Sequence, residues 1–555
     1  MTANASSSSA ASRPEIRRAR SESERVDLAA AGLLGGLPAA FLAGRDRDLL
    51  APLRFLPPGE APAAPFPVLA DGASAARREL AAGLAVSNRG YGHENADALA
   101  RKLADPATRV VITGQQPGLL GGPLYSFAKM VAAARWAAEM EAQGESAVAL
   151  YWVATEDHDW AEVSAAVIPT AEGPRSFDLG PDPEALTPVG MRTFGPGVEE
   201  VLRAVAAAVP GDLYAEWIAA AGRWYRPDAR FGEAFSRLMV HMMGAHAPLL
   251  LDSMHPALKA AERPWLRRVV ERRVEIEEAL AARDAEVTGR GHELRVHPQR
   301  NLSPLFLLSK GERRRIEWRG ADTWGLRGRE ECGGSINDLL RIIDDNPGVV
   351  SPGVLARAAL QDAALGTALF LVGPGELAYM AQASAVYPVL EVEAPWIALR
   401  PQTLVLEGHQ VEKLAGLGLT LAELLGDRQH LDRVLAGDSD FVAPVRRRIE
   451  EALDELREPT RAADPSLERP FDKTREQILR ALDLFGEKAV AAAARRNEVH
   501  SRRLEQLREA CLPLGKLQER TVAAAHFQGK YGPRFGESFW EQLDLDPRFL
   551  HVISP

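Results

Sequence analysis

Residues 155–159, Thr-Glu-Asp-His-Asp, place three carboxylates around one imidazole within five positions. Such a group can do several jobs. The carboxylates can orient and charge His158 as a general acid or base, they can ligate a divalent cation, or they can hold a substrate amine. They can also do no more than cap a helix, because acidic side chains accept from the free amides of a first turn. A second concentration of chemistry is Thr113-Gly114-Gln115-Gln116, followed by Gly118 and Gly122. Each glutamine adds an amide donor and an amide acceptor beside a glycine-rich turn, which suits a polar ligand. A third is Gly373-Pro374-Gly375-Glu376-Leu377-Ala378-Tyr379. Glu376 falls in the first turn of a helical pattern and either caps it or points with Tyr379 toward a ligand. Upstream, Arg357 and Gln361 share a helical face at i,i+4, and a guanidinium there can grip a carboxylate or phosphate with two hydrogen bonds.

Each motif follows a short apolar run, namely Val110–Ile112, Val148–Val153 and Leu369–Val372. Leu249–Leu251 and Ile397–Leu399 are two more, and helical stretches separate all five. Strands alternating with helices predict an α/β fold, a Rossmann-like doubly wound parallel sheet with right-handed crossovers. Ligands bind beyond the carboxyl ends of such strands, so the motifs are expected to face one crevice. Strand, glycine turn and helix start after Pro123 form a backbone that receives an anion. It is neither a Walker A loop, since Leu119 follows Gly118, nor a GxGxxG fingerprint, since Gln115-Gln116 follow Gly114.

Two intervals, roughly 165–245 and 256–345, are too long for single crossovers and predict inserted subdomains. Beyond residue 406, Val442, Val445, Ile449, Leu453 and Leu456, and then Phe471, Ile478, Leu482 and Phe485, recur at helical spacing. Two amphipathic helices joined through Pro459 to Pro470 would form a coiled-coil arm, closing on itself or on a second copy. The expected organisation is a disordered tail over 1–25, the core over 26–405, the arm over 406–511, and a segment over 512–555 packing back on the core.

With 555 residues, net charge -10 and no basic stripe, nucleic acid is excluded as a partner. Two cysteines, Cys332 and Cys511, rule out a disulfide framework and fit a cytoplasmic location. No apolar run is long enough for a membrane span. Neither an HExxH nor a GxSxG pattern occurs, and no local feature activates Cys332.

TGQQPGLLGGPLYSFAK at 113–129, WVATEDHDWAEV at 152–163 and GPGELAYMAQ at 373–382 together resemble the BshC family of bacillithiol-synthesis enzymes. Residues 231–259 and 512–533 are similar to further family segments in the same order. The resemblance implies a Rossmann-type core with two connecting-peptide insertions and a coiled-coil domain that supports a homodimer. It implies a carbon–nitrogen ligase that joins the cysteine carboxyl to the amine of glucosaminyl-malate. ATP is the expected energy source, by adenylation or phosphorylation, and a divalent metal is compatible. The implied site has Thr113, Gly114, Gln115, Gln116, Gly118, Gly122, Tyr125 and Lys129 around a polar or anionic ligand. Glu156, Asp157, His158 and Asp159 take acid–base, metal or amine-binding roles. Gly373, Gly375, Glu376 and Tyr379 form the opposite wall, with Arg357 retained. His158, positioned by Asp157 or Asp159, is expected to take a proton from the attacking amine or to stabilise a leaving phosphate.

The chain departs from the family pattern where Gly353 stands at an Asn position and Ala358 at a Pro position, which puts the acceptor substrate in question. Two other classes of function remain. One is a metal-dependent nucleotidyltransferase or hydrolase built on the Glu156–Asp159 loop. The other is a dimeric coiled-coil assembly protein with a degenerate core.

Overall fold

A computed structural model describes residues 25–555 except 61, 68, 70–73, 298, 430, 432–441 and 497, and the side chains of 493–499. The expected N-terminal tail lies, but for Arg25, outside the described residues. The chain forms two compact units, residues 27–405 with 516–555, and residues 406–515.

The first unit is built on six strands: β1 (Arg54–Phe55), β2 (Arg109–Gln115), β3 (Ala147–Val153), β4 (Leu249–Asp252), β5 (Thr367–Val372) and β6 (Trp396–Leu399). Their order is β1-β6-β5-β2-β3-β4, and every pairing is parallel. Five are the expected strands. β1 is only two residues long, too short to show a pattern. All seven residues of β3 and all six of β5 are buried, as expected for parallel strands covered on both faces.

The chain runs outward from β2 through β3 to β4, then returns on the other side of β2 as β5 and β6. The topological switch therefore lies between β2 and β5, where Thr113 Oγ1 donates to the Leu371 carbonyl at 2.8 Å. Three helices frame it: α1 (Leu124–Ala142), α2 (Val354–Leu365) and α3 (Pro374–Ala383). α1 is apolar nearly all round and buries Leu124, Phe127, Met130, Val131 and Met140. Each such side chain contributes about 1.5–3 kcal/mol on burial.

The first insertion holds the hairpin Ala165–Thr170 with Gly173–Asp178 and the helices Gly197–Ala208, Asp212–Ala221 and Phe231–Met243. The second holds helices Pro256–Glu271 and Arg273–Gly289 and an antiparallel sheet of Leu302–Ser309, Glu312–Trp318, Thr323–Leu326 and Arg329–Ser335. Val350–Pro352 adds to the edge of that sheet. At the C-terminus, Phe549–Ile553 pairs in parallel with Gln402–Val405. Among the described residues no helix is long and apolar enough to cross a membrane.

In the second unit, α4 (Val442–Ala463) and α5 (Glu468–Arg496) form a hairpin, followed by α6 (Glu498–Cys511). Arg446 pairs with Asp483, Arg475 Nε with Asp454 at 2.9 Å, and Arg457 with Asp472 at 2.8 Å. One number falls as the other rises, which is an antiparallel register. The connection is shorter than the prolines suggest. α4 continues through Pro459, and Pro470 sits in the first turn of α5, where a missing amide costs little. Asp464 makes the turn by accepting the Ser466 amide at 2.8 Å.

Candidate active site

The switch point is spanned by one buried lysine. Lys129, one turn into α1, donates Nζ to the Gly114 carbonyl at 2.8 Å, to Gln115 Oε1 at 3.1 Å and to Glu376 Oε2 at 2.5 Å. Burial holds its ammonium below its usual value, even with Glu376 opposing that effect. Glu376 does two jobs, since Oε2 also accepts the Gly373 amide at 2.7 Å and so caps α3. Gly373 lies deep in the site, and a Cβ there would meet Glu376 Oε2 at 3.2 Å, Arg400 Nε at 3.6 Å and Lys129 Cε at 3.6 Å. Gly375 faces open space.

Arg400, just past β6, is a residue that the motifs did not point to. It grips Glu519 with two hydrogen bonds, NH2 to Oε1 at 2.7 Å and NH1 to Oε2 at 3.0 Å. Its Nε is buried beside Gly373 and, among the described residues, has no hydrogen-bond partner. An unpaired buried donor is costly unless a ligand satisfies it. Arg400 also lies 5.4 Å from the ring centre of Tyr125, whose hydroxyl accepts from Gln115 Nε2 at 3.1 Å. The strand-end rule that found the other motifs applies equally to Leu399-Arg400.

Arg357 and Tyr379 come together, with Arg357 NH2 donating to the Tyr379 hydroxyl at 3.4 Å. Arg357 packs 5.9 Å from the Trp152 ring and 5.8 Å from Phe370. Gln361 links it inward, accepting from Arg357 NH1 at 2.8 Å and donating to Asp362 at 3.0 Å. Burial pushes the Asp362 carboxyl up to about 6 and the Tyr379 hydroxyl up to about 12.

The glycine loop differs from an open anion cradle. Gly118 to Gly122 are buried, and their turn closes on itself, with Gly121 N bonded to Gly118 O and Gly122 N to Leu119 O, both at 3.1 Å. The first amide of α1, Leu124 N, is taken by Val522 O at 2.8 Å, and Ala524 N donates to Gly122 O at 2.9 Å. The C-terminal segment thus covers the helix start, and the loop presents Gly114, Gln115 and Gln116 instead. These glycines serve close packing, since a Cβ on Gly114 would lie 2.6 Å from the Trp152 carbonyl oxygen, and one on Gly118 2.7 Å from Gly122 Cα.

Both glutamines converge on Glu162, which sequence spacing did not single out. Gln115 Nε2 reaches Oε1 at 2.7 Å, and Gln116 Nε2 reaches Oε2 at 2.9 Å. Burial raises the Glu162 carboxyl, and Asp159 adds to the rise. The only local hint is its position three residues after Asp159, which caps the short helix Trp160–Val163 by accepting the Glu162 amide at 3.3 Å.

The acidic loop divides its labour. Glu156 turns into the interior and pairs with Lys259, which also donates to Glu262 at 2.7 Å. Burial pushes the Glu156 carboxyl up to about 7. Asp157 accepts from Gln116 Nε2 at 3.1 Å and from the His158 amide at 2.8 Å. His158 is half-buried, with Nδ1 3.7 Å from Asp157 Oδ1, and among the described residues that nitrogen has no hydrogen-bond partner. Burial first, and then the positive charge of Arg313, hold the imidazole below its usual value, so it stands as a free base. Arg313 comes from the inserted sheet, with NH1 3.7 Å from Asp157. The surface here is a cleft of about 580 Å³ lined by Asp157, His158, Asp159, Trp160, Ala161 and Asp182. Among the described residues no three His, Cys, Asp or Glu are grouped as a cation site.

The charges are therefore partly sorted. Lys129 and Arg400, each paired with a carboxylate, gather with Arg357 where β2, β5 and β6 end, and Asp157, Asp159 and Glu162 gather beside His158 beyond β3, with Arg313 facing them. Comparison with known proteins matches residues 66–401 to the family model for the N-terminal Rossmann-like domain of bacillithiol biosynthesis BshC, and residues 403–550 to that for its C-terminal coiled-coil domain. Curated relatives share the name "putative cysteine ligase BshC". That of Salinibacter ruber is 31% identical over 81% of this chain and 84% of its own. That of Solibacter usitatus is 29% identical over 85% and 88%. That of Koribacter versatilis is 30% identical over 76% and 79%. The arrangement of core, insertions and helical arm, and the similarity along nearly the whole chain, agree: this protein belongs to the BshC family.

Proposed function

We propose that the switch-point crevice joins the carboxyl of cysteine to the amine of glucosaminyl-malate, with ATP activating the carboxylate. The observation that carries this reading is the partial sorting of charge. An amide-forming site must hold anionic groups, the carboxylate and phosphates, on one side and receive an amine on the other. Arg357 and the Nε of Arg400 supply the first side, and Lys129, held by Gly114, Gln115 and Glu376, fixes the crevice between them. The Asp157–Asp159 cleft supplies the second.

His158 is suited to the proton step because it is held neutral. As the amine nitrogen attacks the activated carbonyl carbon, the carbon–oxygen bond to the leaving phosphate breaks and the nitrogen loses a proton. A neutral imidazole beside the amine accepts that proton, and Asp157 steadies the imidazolium that forms. Gln115 and Gln116 fix the loop between the two halves through Glu162.

The reading includes cytoplasmic action as a homodimer through the helical arm, where Leu456, Leu484 and Phe485 stand exposed on the hairpin. The test is mass spectrometry on purified protein given ATP, cysteine and glucosaminyl-malate. The expected result is the cysteine adduct with one equivalent of AMP or ADP. Nucleotide cleavage without an adduct, or no turnover with all three present, would overturn the reading.

A further inference from the structure

The inserted sheet carries a run of positive charge that its neighbours neutralise only in part. Alternation along Glu312–Trp318 puts Glu312 and Arg314 on one face, and Arg313, Arg315 and Glu317 on the other. The first face is matched, because Glu312 accepts from Arg314 at 2.7 Å and from Arg329 at 2.8 Å. On the second, Glu317 is already held by Arg319 at 3.0 and 2.9 Å. Arg315 then lies between Phe306, its register partner on one neighbouring strand, and Arg327 on the other side, whose amide donates to the Arg315 carbonyl at 3.0 Å. The charges acting on Arg315 are those of Arg327 and Arg313, and with burial they lower its proton affinity. Among the described residues neither Arg315 nor Arg327 has a carboxylate partner. Like charges directly opposite on a sheet are destabilising.

The geometry of these side chains is as informative as their charge. The guanidinium carbons of Arg313 and Arg315 lie 3.9 and 5.4 Å from the ring centre of Phe306. Stacking engages the guanidinium face and leaves the edge N–H groups directed outward. Among the described residues Arg315 uses only Nε, on the Ser303 carbonyl at 3.0 Å. Arg313 uses Nε on Ser351 Oγ at 2.9 Å and NH2 on the Pro352 carbonyl at 3.1 Å, and its third nitrogen faces Asp157. The platform exists because residue 353 is glycine, since a Cβ there would meet Phe306 Cε2 at 2.9 Å. Gly353 is thus tied to the ring on which these arginines stack.

We propose that Arg315, stacked on Phe306, and Arg327 beside it form a binding site for the phosphate or carboxylate groups of a small anion, with Arg313 buried behind them and turned toward Asp157 of the His158 loop. Guanidinium forks match either group with two parallel hydrogen bonds.

The test is calorimetric titration of the full-length protein at fixed ionic strength with tripolyphosphate, malate and inorganic phosphate. At least one is expected to bind, and the Arg315→Gln/Arg327→Gln double variant is expected to weaken that binding at least tenfold. Tripolyphosphate binding more tightly than the others identifies an oligophosphate ligand, and malate doing so identifies a dicarboxylate. Arg203→Gln, on an exposed helix face, is expected to change nothing. The double variant is expected to melt no lower than the wild type, because a like-charge pair is relieved, which a merely structural role would not give. Should it fail to fold, Arg327→Gln alone, at an exposed position, carries the test. No binding of any of the three, or equal binding by the variants, overturns the proposal. A loss confined to Lys129→Met places the anion in the crevice and overturns it too, while leaving the ligase reading intact.

Discussion

Lys129 Nζ lies 2.5 Å from Glu376 Oε2 and 2.8 Å from the Gly114 carbonyl, so one ammonium joins the ends of β2 and β5 across the topological switch. Lys129→Met leaves Glu376 without its counter-charge and is expected to destabilise the fold by about 3 kcal/mol. Replacing both partners, Lys129→Met with Glu376→Leu, is expected to cost less than the sum of the single changes. Urea unfolding of the three variants measures this, and strict additivity would show that the pair is not coupled.

His158 is expected to act as a free base. Its imidazole is held below the ordinary 6.5 by burial and by Arg313, so the acid limb of the rate–pH profile should lie below that value. Arg313→Gln removes the second cause and should move the limb upward. His158→Ala should lower the rate by about 10²–10⁴-fold. An unchanged turnover and pH profile would remove His158 from the mechanism.

Glu156 sets a different pH dependence, one of stability. Its carboxyl titrates near 4.5 when unfolded and at about 7 when folded. The folded state therefore binds more protons between those values, and this group's contribution to stability falls as pH rises from about 4.5 to 7. Glu156→Gln should flatten that part of the melting-temperature profile. A parallel profile in the variant would contradict the assignment.

The glycines of the site should separate sharply. Gly118→Ala brings a Cβ within 2.7 Å of Gly122 Cα, so backbone must move, and a loss of about 2 kcal/mol or more is expected. Gly375→Ala meets nothing within 4 Å and is expected to stay within about 0.5 kcal/mol of wild type. Thermal unfolding of both compares them directly.

The helical arm supplies the dimer test. Phe485 is 56% exposed and Leu456 53% exposed on α5 and α4. Light scattering is expected to give a two-chain mass for the wild type and a one-chain mass for Phe485→Glu with Leu456→Glu. A one-chain wild type would end the dimer proposal.

Much of the scaffold was legible because buried parallel strands write themselves as apolar runs. Val110–Ile112 and Leu369–Val372 announced β2 and β5, and with them the place where a ligand must lie. The partnerships inside the site were not legible. Lys129 and Glu376 stand 247 residues apart, and only the strand register brings them together. Arg313 arrives on an inserted sheet whose docking no local pattern encodes. The glycine loop looked open because its neighbours in sequence do not cover it, whereas Val522, some four hundred positions away, does. Pro459 misled in the opposite sense, since a proline near a helix end loses one hydrogen bond without ending the helix.

The return of residues 516–555 has a consequence for synthesis. Glu519 holds Arg400, and Val522 and Ala524 close over the start of α1. A ribosome that has completed β2, β5 and β6 has not yet made their last supports. The nascent core must wait, with Arg400 lacking its partner, while the whole arm is translated. A premature stop within the arm therefore leaves the switch-point crevice without Glu519 and Val522, however well the sheet forms. Conversely, a break in the α4–α5 turn would leave two fragments that each carry a piece of one crevice, and these could be tested for reassembly in trans.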